Sequence, residues 1–299
     1  MSNPDATSPK PPKVHRDTVK AVQDHNRSYQ HFTFVYPVIS RRSQGLSLGV
    51  NLNPNKICNF NCIYCEVNRQ RPGKAVPVDP LQIKSELLDL IQWVRDGGLG
   101  GDQRFRDAGE LTRQIRDIAF SGDGEPTMVN NFAECVEVVA DVKRSEHLAE
   151  TKIVLITDAA GLDKANVKRG LEIMDANQGE IWAKLDAGTE DHYKLVNRSF
   201  IRFERLLDNI LQTALVRPII IQTLLLKVHG KGMPEAELEA YCQRIRDFLA
   251  KGGMIKPIQA YTVARPTPET YATRLDETEL EVYAEAIKRT TGLPVLIFA

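Results

Sequence analysis

The chain lacks a charge excess of either sign: 39 Lys and Arg stand against 39 Asp and Glu in 299 residues. That balance does not recruit nucleic acid or a membrane surface to the protein as a whole, although it leaves room for a local basic patch. Long hydrophobic runs are missing too, and none approaches the roughly 18 residues needed to span a bilayer. The opening M-S-N-P-D-A-T-S-P-K-P-P-K has no apolar core of the secretory kind. Cysteine is scarce: there are five, an odd number with three clustered, which is unlike the disulfide framework of a secreted domain. These absences predict a cytoplasmic protein with no membrane partner, in a compartment where clustered thiols more often hold metal.

What is present is the material of an ordinary globular fold. Hydrophobic content is 42% and charged content 26%, and the length suffices to bury a large core. Residues 1–30 are polar, Pro-rich at first and without apolar periodicity, and read as a flexible N-terminal arm. From 31 to 299 one domain is expected, in which strand-like and helix-like segments alternate. The strand-like runs are L-S-L-G-V-N-L (46–52), D-I-A-F-S-G (117–122), K-I-V-L-I-T-D (152–158), E-I-W-A-K-L-D (180–186), P-I-I-I-Q-T-L-L-L-K-V (218–228) and K-P-I-Q-A-Y-T-V (256–263). Helical spacing joins Ile83, Leu87, Leu90, Ile91 and Val94, and again Phe203, Leu206, Leu207, Ile210 and Leu211.

Near the C-terminus, E-T-E-L-E-V-Y-A-E-A-I-K-R-T-T-G reads as a helix stopped by Gly292, and L-P-V-L-I-F-A as an extra strand. The Gly-rich insert at 97–110 reads as a surface loop. Right-handed crossovers would curl six such β/α units into an α/β fold, a partial (β/α)6 barrel of the TIM type.

Chemistry concentrates in C-N-F-N-C-I-Y-C, residues 58–65. Cys58, Cys62 and Cys65 follow the first of these strands, at the carboxyl end where α/β barrels keep their sites. Thiolates suit zinc or iron–sulfur clusters. Structural zinc takes four protein ligands, so a zinc reading must recruit Cys135, Cys242 or a histidine. Cys135 and Cys242 lie inside helical patterns with apolar neighbours and read as small buried side chains. A four-iron cluster on three cysteines would instead keep one iron open to an outside ligand.

Cys-x-x-x-Cys-x-x-Cys with Tyr64 before the last cysteine resembles the signature of the radical S-adenosylmethionine superfamily. The resemblance implies a [4Fe-4S] cluster whose open iron binds the amino and carboxylate groups of S-adenosylmethionine, with an electron from the cluster yielding a 5′-deoxyadenosyl radical. S-G-D-G-E-P-T (121–127) is similar to the family's Gly-Gly-Glu segment, which touches the methionine amino group. It departs by one inserted feature, so Gly122, Asp123, Gly124 and Glu125 are all cofactor-binding candidates and either carboxylate is available to the ammonium.

Lys184 and Asp186, at alternate positions of W-A-K-L-D-A-G, reach cofactor or substrate, or else pair with each other. Gln222 and Lys227, and Gln259, Tyr261 and Arg265, pose the same choice; Gln222 and Tyr261 are carried as cofactor-binding candidates. His229 either moves a proton or is a loop histidine without a role. Lys184, Asp186 and His229 are the catalytic candidates.

Y-P-V-I-S-R-R-S-Q-G-L-S-L-G-V-N-L (36–52), W-A-K-L-D-A-G-T-E and Y-T-V-A-R-P resemble one branch of that superfamily, the iron–sulfur oxidoreductases related to wyosine-type tRNA-modifying enzymes. Tyr36-Pro37 stands where the branch often has Gly-Pro. The wyosine reaction itself is not carried over, because it needs a second cysteine set and Cys135 and Cys242 are too few and too scattered. Arg41 and Arg42 contact an anionic substrate or the cofactor carboxylate, or lie solvated on the surface.

The expected activity is reductive cleavage of S-adenosylmethionine followed by hydrogen abstraction from an unidentified substrate, a small metabolite or an RNA base. The electron donor would be a flavodoxin or ferredoxin. A structural zinc or iron–sulfur protein without radical chemistry and a tRNA base-modifying enzyme are the competing readings.

Overall fold

The computed structural model describes residues 21, 27–265 and 267–299. Apart from 21 and 27–30, the arm expected over 1–30 therefore lies outside the described residues. In chain order the elements are β1 (Val35–Ser40), β2 (Gly45–Val50), α1 (Pro80–Arg95), α2 (Gly98–Gly101), β3 (Ile115–Phe120), α3 (Phe132–Ser145), β4 (Lys152–Thr157), α4 (Ala165–Asp175), β5 (Gly179–Lys184) and α5 (Glu190–Val196). They continue with α6 (Phe203–Val216), β6 (Ile220–Leu224), β7 (Leu226–Val228), α7 (Glu235–Ala250), β8 (Ile258–Tyr261), β9 (Ala272–Arg274), α8 (Glu277–Thr291) and β10 (Val295–Phe298).

The main sheet runs β1-β2-β3-β4-β5-β6-β8-β10. All neighbours are parallel except β1, which forms an antiparallel hairpin with β2. The six expected strands are all present, and the C-terminal run adds β10 beside β8. The sheet curls into a partial barrel. Its two ends approach closely enough for Arg41, on the β1–β2 turn, to donate to the carbonyls of Phe298 and Ala299.

Strand alternation sorts the side chains. Leu46, Leu48 and Val50 of β2 join the apolar layer beneath the outer helices, as do Ile181 and Ala183 of β5. The opposite set, including Ser47, Ala119, Ile156, Trp182, Lys184 and Tyr261, faces the hollow of the curl. Ala119, Val154, Trp182 and Ile220 form a small apolar group of their own on that inner side.

Two local results explain where pattern reading and structure diverge. The run 218–228 divides into β6 and β7 at Leu225. There the Leu224 amide donates to the Asp186 carboxylate (2.9 Å) and the Leu225 amide to the Tyr261 carbonyl (2.8 Å), so the ladder with β5 stops. The insert 97–110 is not a surface loop: α2 and short 3-10 turns at Gln103–Phe105 and Gly109–Thr112 bury Leu99, Phe105 and Ala108. Its glycines hide the apolar spacing, and only the neighbouring elements reveal which side chains are covered.

α1 begins where Asp79 caps it, accepting from the Leu81 amide (2.9 Å), with Pro80 in the first turn. It buries the five apolar residues expected of it, together with Glu86. The Glu86 carboxylate accepts from the amides of Thr33 (2.8 Å), Phe34 (2.8 Å) and Val35 (3.0 Å), which occupies donors where the chain enters the edge strand β1. α8 starts with an Asp276–Glu279 capping box and ends on Gly292 at φ 74°, as its sequence predicts. Among the described residues no helix is long and apolar enough to cross a membrane.

Candidate active site

At the carboxyl ends of the parallel strands, a cavity of about 250 Å³ is walled by the cysteine loop, the β3 and β4 ends and the inner faces of β5 and β8. Cys58, Cys62 and Cys65 all line it, each half-buried, together with Gly122, Gly124, Glu125, Lys184 and Tyr261. Motifs separated by up to two hundred residues thus share one hollow. Cys135 and Cys242 are buried among the helices, as expected.

The cysteine loop is fixed from the far side by the end of α5. The amides of Asn61 and Ile63 donate to the carbonyls of Asn197 (3.1 Å) and Val196 (2.9 Å), and the Ser199 hydroxyl donates to the Asn59 carbonyl (3.1 Å). Asn197 Nδ2 donates to Asp186 (2.9 Å) and lies 3.3 Å from the Tyr64 hydroxyl and 3.5 Å from Cys62 Sγ. Arg69 reaches back across the loop, donating to the Lys56 carbonyl, to the Asp123 carbonyl (3.2 Å) and to Cys65 Sγ (3.5 Å).

The segment after β3 packs directly on this loop. A Cβ on Gly124 would stand 1.9 Å from the Ile57 carbonyl oxygen, next to Cys58, and the Glu125 amide donates to that same oxygen (3.3 Å). The glycine is therefore required by close approach of the two loops. Gly124→Ala is expected to destabilise the protein by about 1–3 kcal/mol, the usual cost of overpacking. The melting midpoint of the variant beside the parent is the measurement.

Both carboxylates of S-G-D-G-E-P-T are engaged. Asp123 accepts from Arg27 Nη1 (2.9 Å) and Asn51 Nδ2 (2.7 Å). Glu125 is buried and accepts from the Thr127 amide (3.0 Å), the hydroxyls of Thr127 (2.7 Å) and Thr157 (2.6 Å) and the Asp158 amide (2.8 Å). Glu125 thereby ties the loop after β3 to the end of β4 and still borders the cavity, which Asp123 does not.

Lys184 and Asp186 stand at alternate positions, yet Lys184 lines the cavity and Asp186 does not. The Lys184 ammonium lies 5.2 Å from the Tyr64 ring centroid and 6.0 Å from that of Tyr261. Burial opposes its charge, but Tyr261, Asp186 and Cys62 together raise its pKa above the ordinary lysine value. Asp186 lies behind the cavity wall, and its three acceptances, from Tyr64, Asn197 and the Leu224 amide, join the cysteine loop to β5 and β6. Among the described residues no ion pair within 4.0 Å joins Lys184 to Asp186.

The remaining candidates scatter. Gln222 and Gln259 are buried and bond to each other (2.8 Å) below the cavity. Lys227 pairs with Glu279 (2.7 Å), and His229 stacks on Tyr271 with ring centroids 4.5 Å apart, away from the cavity lining. Tyr261 is placed to act: its hydroxyl is buried at the cavity, beside the Lys184 ammonium.

Asp158 was not singled out by the sequence. Its Oδ2 lies 3.9 Å from Cys58 Sγ, and burial, then the charge of Glu125, hold its carboxyl well above the usual carboxylate range. The only signal in the sequence is its position as the last residue of a strand-like run. Burial also raises the Cys58 thiol and pushes the Cys62 thiol up to about 11. A bound cation reverses that preference, because coordinated thiols are deprotonated.

The donor set can be tested against the group it resembles. Among the described residues no three His, Cys, Asp or Glu side chains converge to hold a single metal ion. Three thiols lining one hollow are soft donors of the type that iron–sulfur clusters take.

No family model matches the chain. A protein called GTPase Obg from Brachyspira hyodysenteriae is 24% identical over 251 residues, which are 82% of this chain and 32% of that one. A UPF0026 protein from Helicobacter pylori is 26% identical over 248 residues, 82% of this chain and 70% of its own. The chain thus spans about a third of the first relative's length and about two thirds of the second's. It contains no G-x-x-x-x-G-K-[ST] phosphate loop of the kind found in GTPases.

Among solved structures, Streptococcus suis SuiB bound to S-adenosylmethionine aligns with a TM-score of 0.51 at 12% identity, over 86% of this chain and 49% of that one. anSMEcpe with bound AdoMet aligns with a TM-score of 0.50 at 15% identity, over 84% of this chain and 63% of its own. In fold, therefore, this chain is a curled, partial α/β barrel of the kind that SuiB and anSMEcpe share, the architecture expected of the radical S-adenosylmethionine superfamily.

Proposed function

We propose that the chain is a radical S-adenosylmethionine enzyme whose Cys58, Cys62 and Cys65 hold a [4Fe-4S] cluster with one open coordination position. The observation that carries the reading is the meeting of these three thiols and the Gly122–Glu125 segment on one cavity of this fold. When bound, the cluster supplies the electron for reductive cleavage of S-adenosylmethionine to a 5′-deoxyadenosyl radical, which abstracts hydrogen from the substrate.

The chain's own residues then have separable tasks. Asn197, Asp186 and Arg69 hold the loop so that the thiols face the hollow. Glu125 ties the loop after β3 to the end of β4, with Gly124 against the cysteine loop and Gly122 against Asn51, leaving backbone at the cavity wall for a ligand to approach. Lys184 brings a positive charge beside Tyr64, suited to the carboxylate end of the cofactor. Tyr261 offers its hydroxyl beside Lys184, and Ala119, Ile156 and Trp182 supply an apolar floor that keeps water away from a radical.

Anaerobic reconstitution with iron and sulfide, followed by reduction in the presence of S-adenosylmethionine, tests the reading. The expected result is a brown protein that releases methionine and 5′-deoxyadenosine. An intact, reducible cluster that leaves S-adenosylmethionine uncleaved overturns it.

A further inference from the structure

The cavity holds cations in excess of what its structure consumes. Arg27 pairs with Asp123 through Nη1, yet its Nε is buried without a hydrogen-bond partner among the described residues. Arg265 pairs with Glu66 through Nη2, and both its Nε and Nη1 are buried and unpartnered in the same sense. Arg42 reaches from the β1–β2 turn into the hollow, its guanidinium carbon 5.1 Å from the Tyr261 ring centroid and 5.8 Å from that of Trp182. Among the described residues no carboxylate pairs with it.

All three line the cavity, and they are close enough to feel one another: burial most of all lowers the pKa of Arg265, Glu66 opposes that, and Arg27 and Arg42 add smaller lowering effects. Clustering like charges in a buried place is costly, and leaving their donors unpaired adds to the cost. An anion entering beside them would remove both penalties.

We propose that Arg27, Arg42 and Arg265 form the receptor for an oxyanion group, a carboxylate or a phosphate, carried by the substrate of this enzyme. The inference rests on the reading of the cavity as a radical S-adenosylmethionine site and adds the chemical class of what that site acts on. Planar guanidinium forks match both oxyanions, and the Trp182 and Tyr261 rings lie within cation–π range of the Arg42 fork. Lys184, which shares the Tyr261 ring with Arg42, serves the carboxylate end of the cofactor, so the three arginines remain for a second anion. Because the unpaired donors are buried and the chain carries no net charge, the anion belongs to a small molecule rather than to a nucleic-acid backbone.

The test is calorimetric titration of the anaerobically reconstituted protein with pyrophosphate and, separately, with citrate, each with S-adenosylmethionine already bound. At least one anion is expected to bind saturably, and which one distinguishes a phosphorylated from a carboxylated substrate. Arg42→Gln and Arg265→Gln should each weaken that binding at least tenfold, with Arg42→Lys intermediate because it keeps charge and loses the fork. Melting curves of the same samples check that the variants are folded.

Three outcomes overturn the proposal: neither anion binds, the variants bind as well as the parent, or binding appears only when S-adenosylmethionine is left out, which would assign the arginines to the cofactor. Binding of bulk tRNA that the same variants abolish, without binding of either small anion, also overturns it. Cleavage of S-adenosylmethionine by the unaltered protein is read separately, so failure of the cavity's general reading is distinguishable from failure of this one.

Discussion

Alanine at any one of Cys58, Cys62 or Cys65 is expected to abolish stable iron–sulfur loading and, with it, reductive cleavage of S-adenosylmethionine. Partners outside a metal's own ligand shell already cost about 10–100-fold when removed, so losing a ligand should exceed about 100-fold. Three thiols line the cavity, and the neighbouring Asp158 carboxyl, held above its usual range, is a poor substitute for a thiolate. Iron and sulfide content per chain, visible absorbance and released 5′-deoxyadenosine are the measurements. Cys135→Ala is the control: Cys135 is buried in α3, so the change should cost on the order of 1 kcal/mol in stability and leave iron content unchanged. Full loading of a Cys62→Ala protein, or loss of iron from Cys135→Ala, would contradict the assignment.

The second large effect is expected from Asp186→Ala. The carboxylate is buried and takes hydrogen bonds from the Tyr64 hydroxyl, Asn197 Nδ2 and the Leu224 amide. Removing it strands three donors at once, at a cost of about 3–5 kcal/mol. For a chain of this length that is roughly 6 °C or more in melting midpoint. Asp186→Asn should fall between, because one amide oxygen still accepts while the amide NH2 faces donors. Tyr64→Phe in the Asp186→Ala background should then add little, since the bond it removes is already lost. If Asp186→Ala instead keeps its melting midpoint and loses only S-adenosylmethionine affinity, Asp186 acts on the cofactor and not on the loop.

These two sites show how differently pattern and packing speak. The cysteine loop is legible because its spacing is local: eight consecutive residues place three thiols on one turn, whatever surrounds them. Asp186 and Lys184 look alike in W-A-K-L-D-A-G, two charged residues at strand spacing, but one closes a hydrogen-bond network behind the wall and the other faces the hollow. The difference lies in Tyr64 and Asn197, which come from other parts of the chain. Gln222 donates to Gln259 for the same reason, adjacent strands having brought them side by side.

Arg27 makes the point in the other direction. It falls in a stretch with no periodic pattern, and nothing local marks it, yet its guanidinium reaches Asp123 beyond β3. The glycine-rich insert at 97–110 likewise conceals helical turns, because its burial depends on what packs over Leu99 and Phe105.

The sequence by itself determined the strand and helix alternation, the parallel sheet, the capped final helix and the three-cysteine loop at a strand's carboxyl end. Each of these rests on periodicity, capping or spacing within a few residues, where backbone geometry leaves little choice. Only the tertiary structure decided which polar residues face the cavity, which satisfy one another behind it, and that three arginines from distant segments share one cavity. Burial and hydrogen-bond partnership are properties of neighbours in space, and no local pattern specifies them.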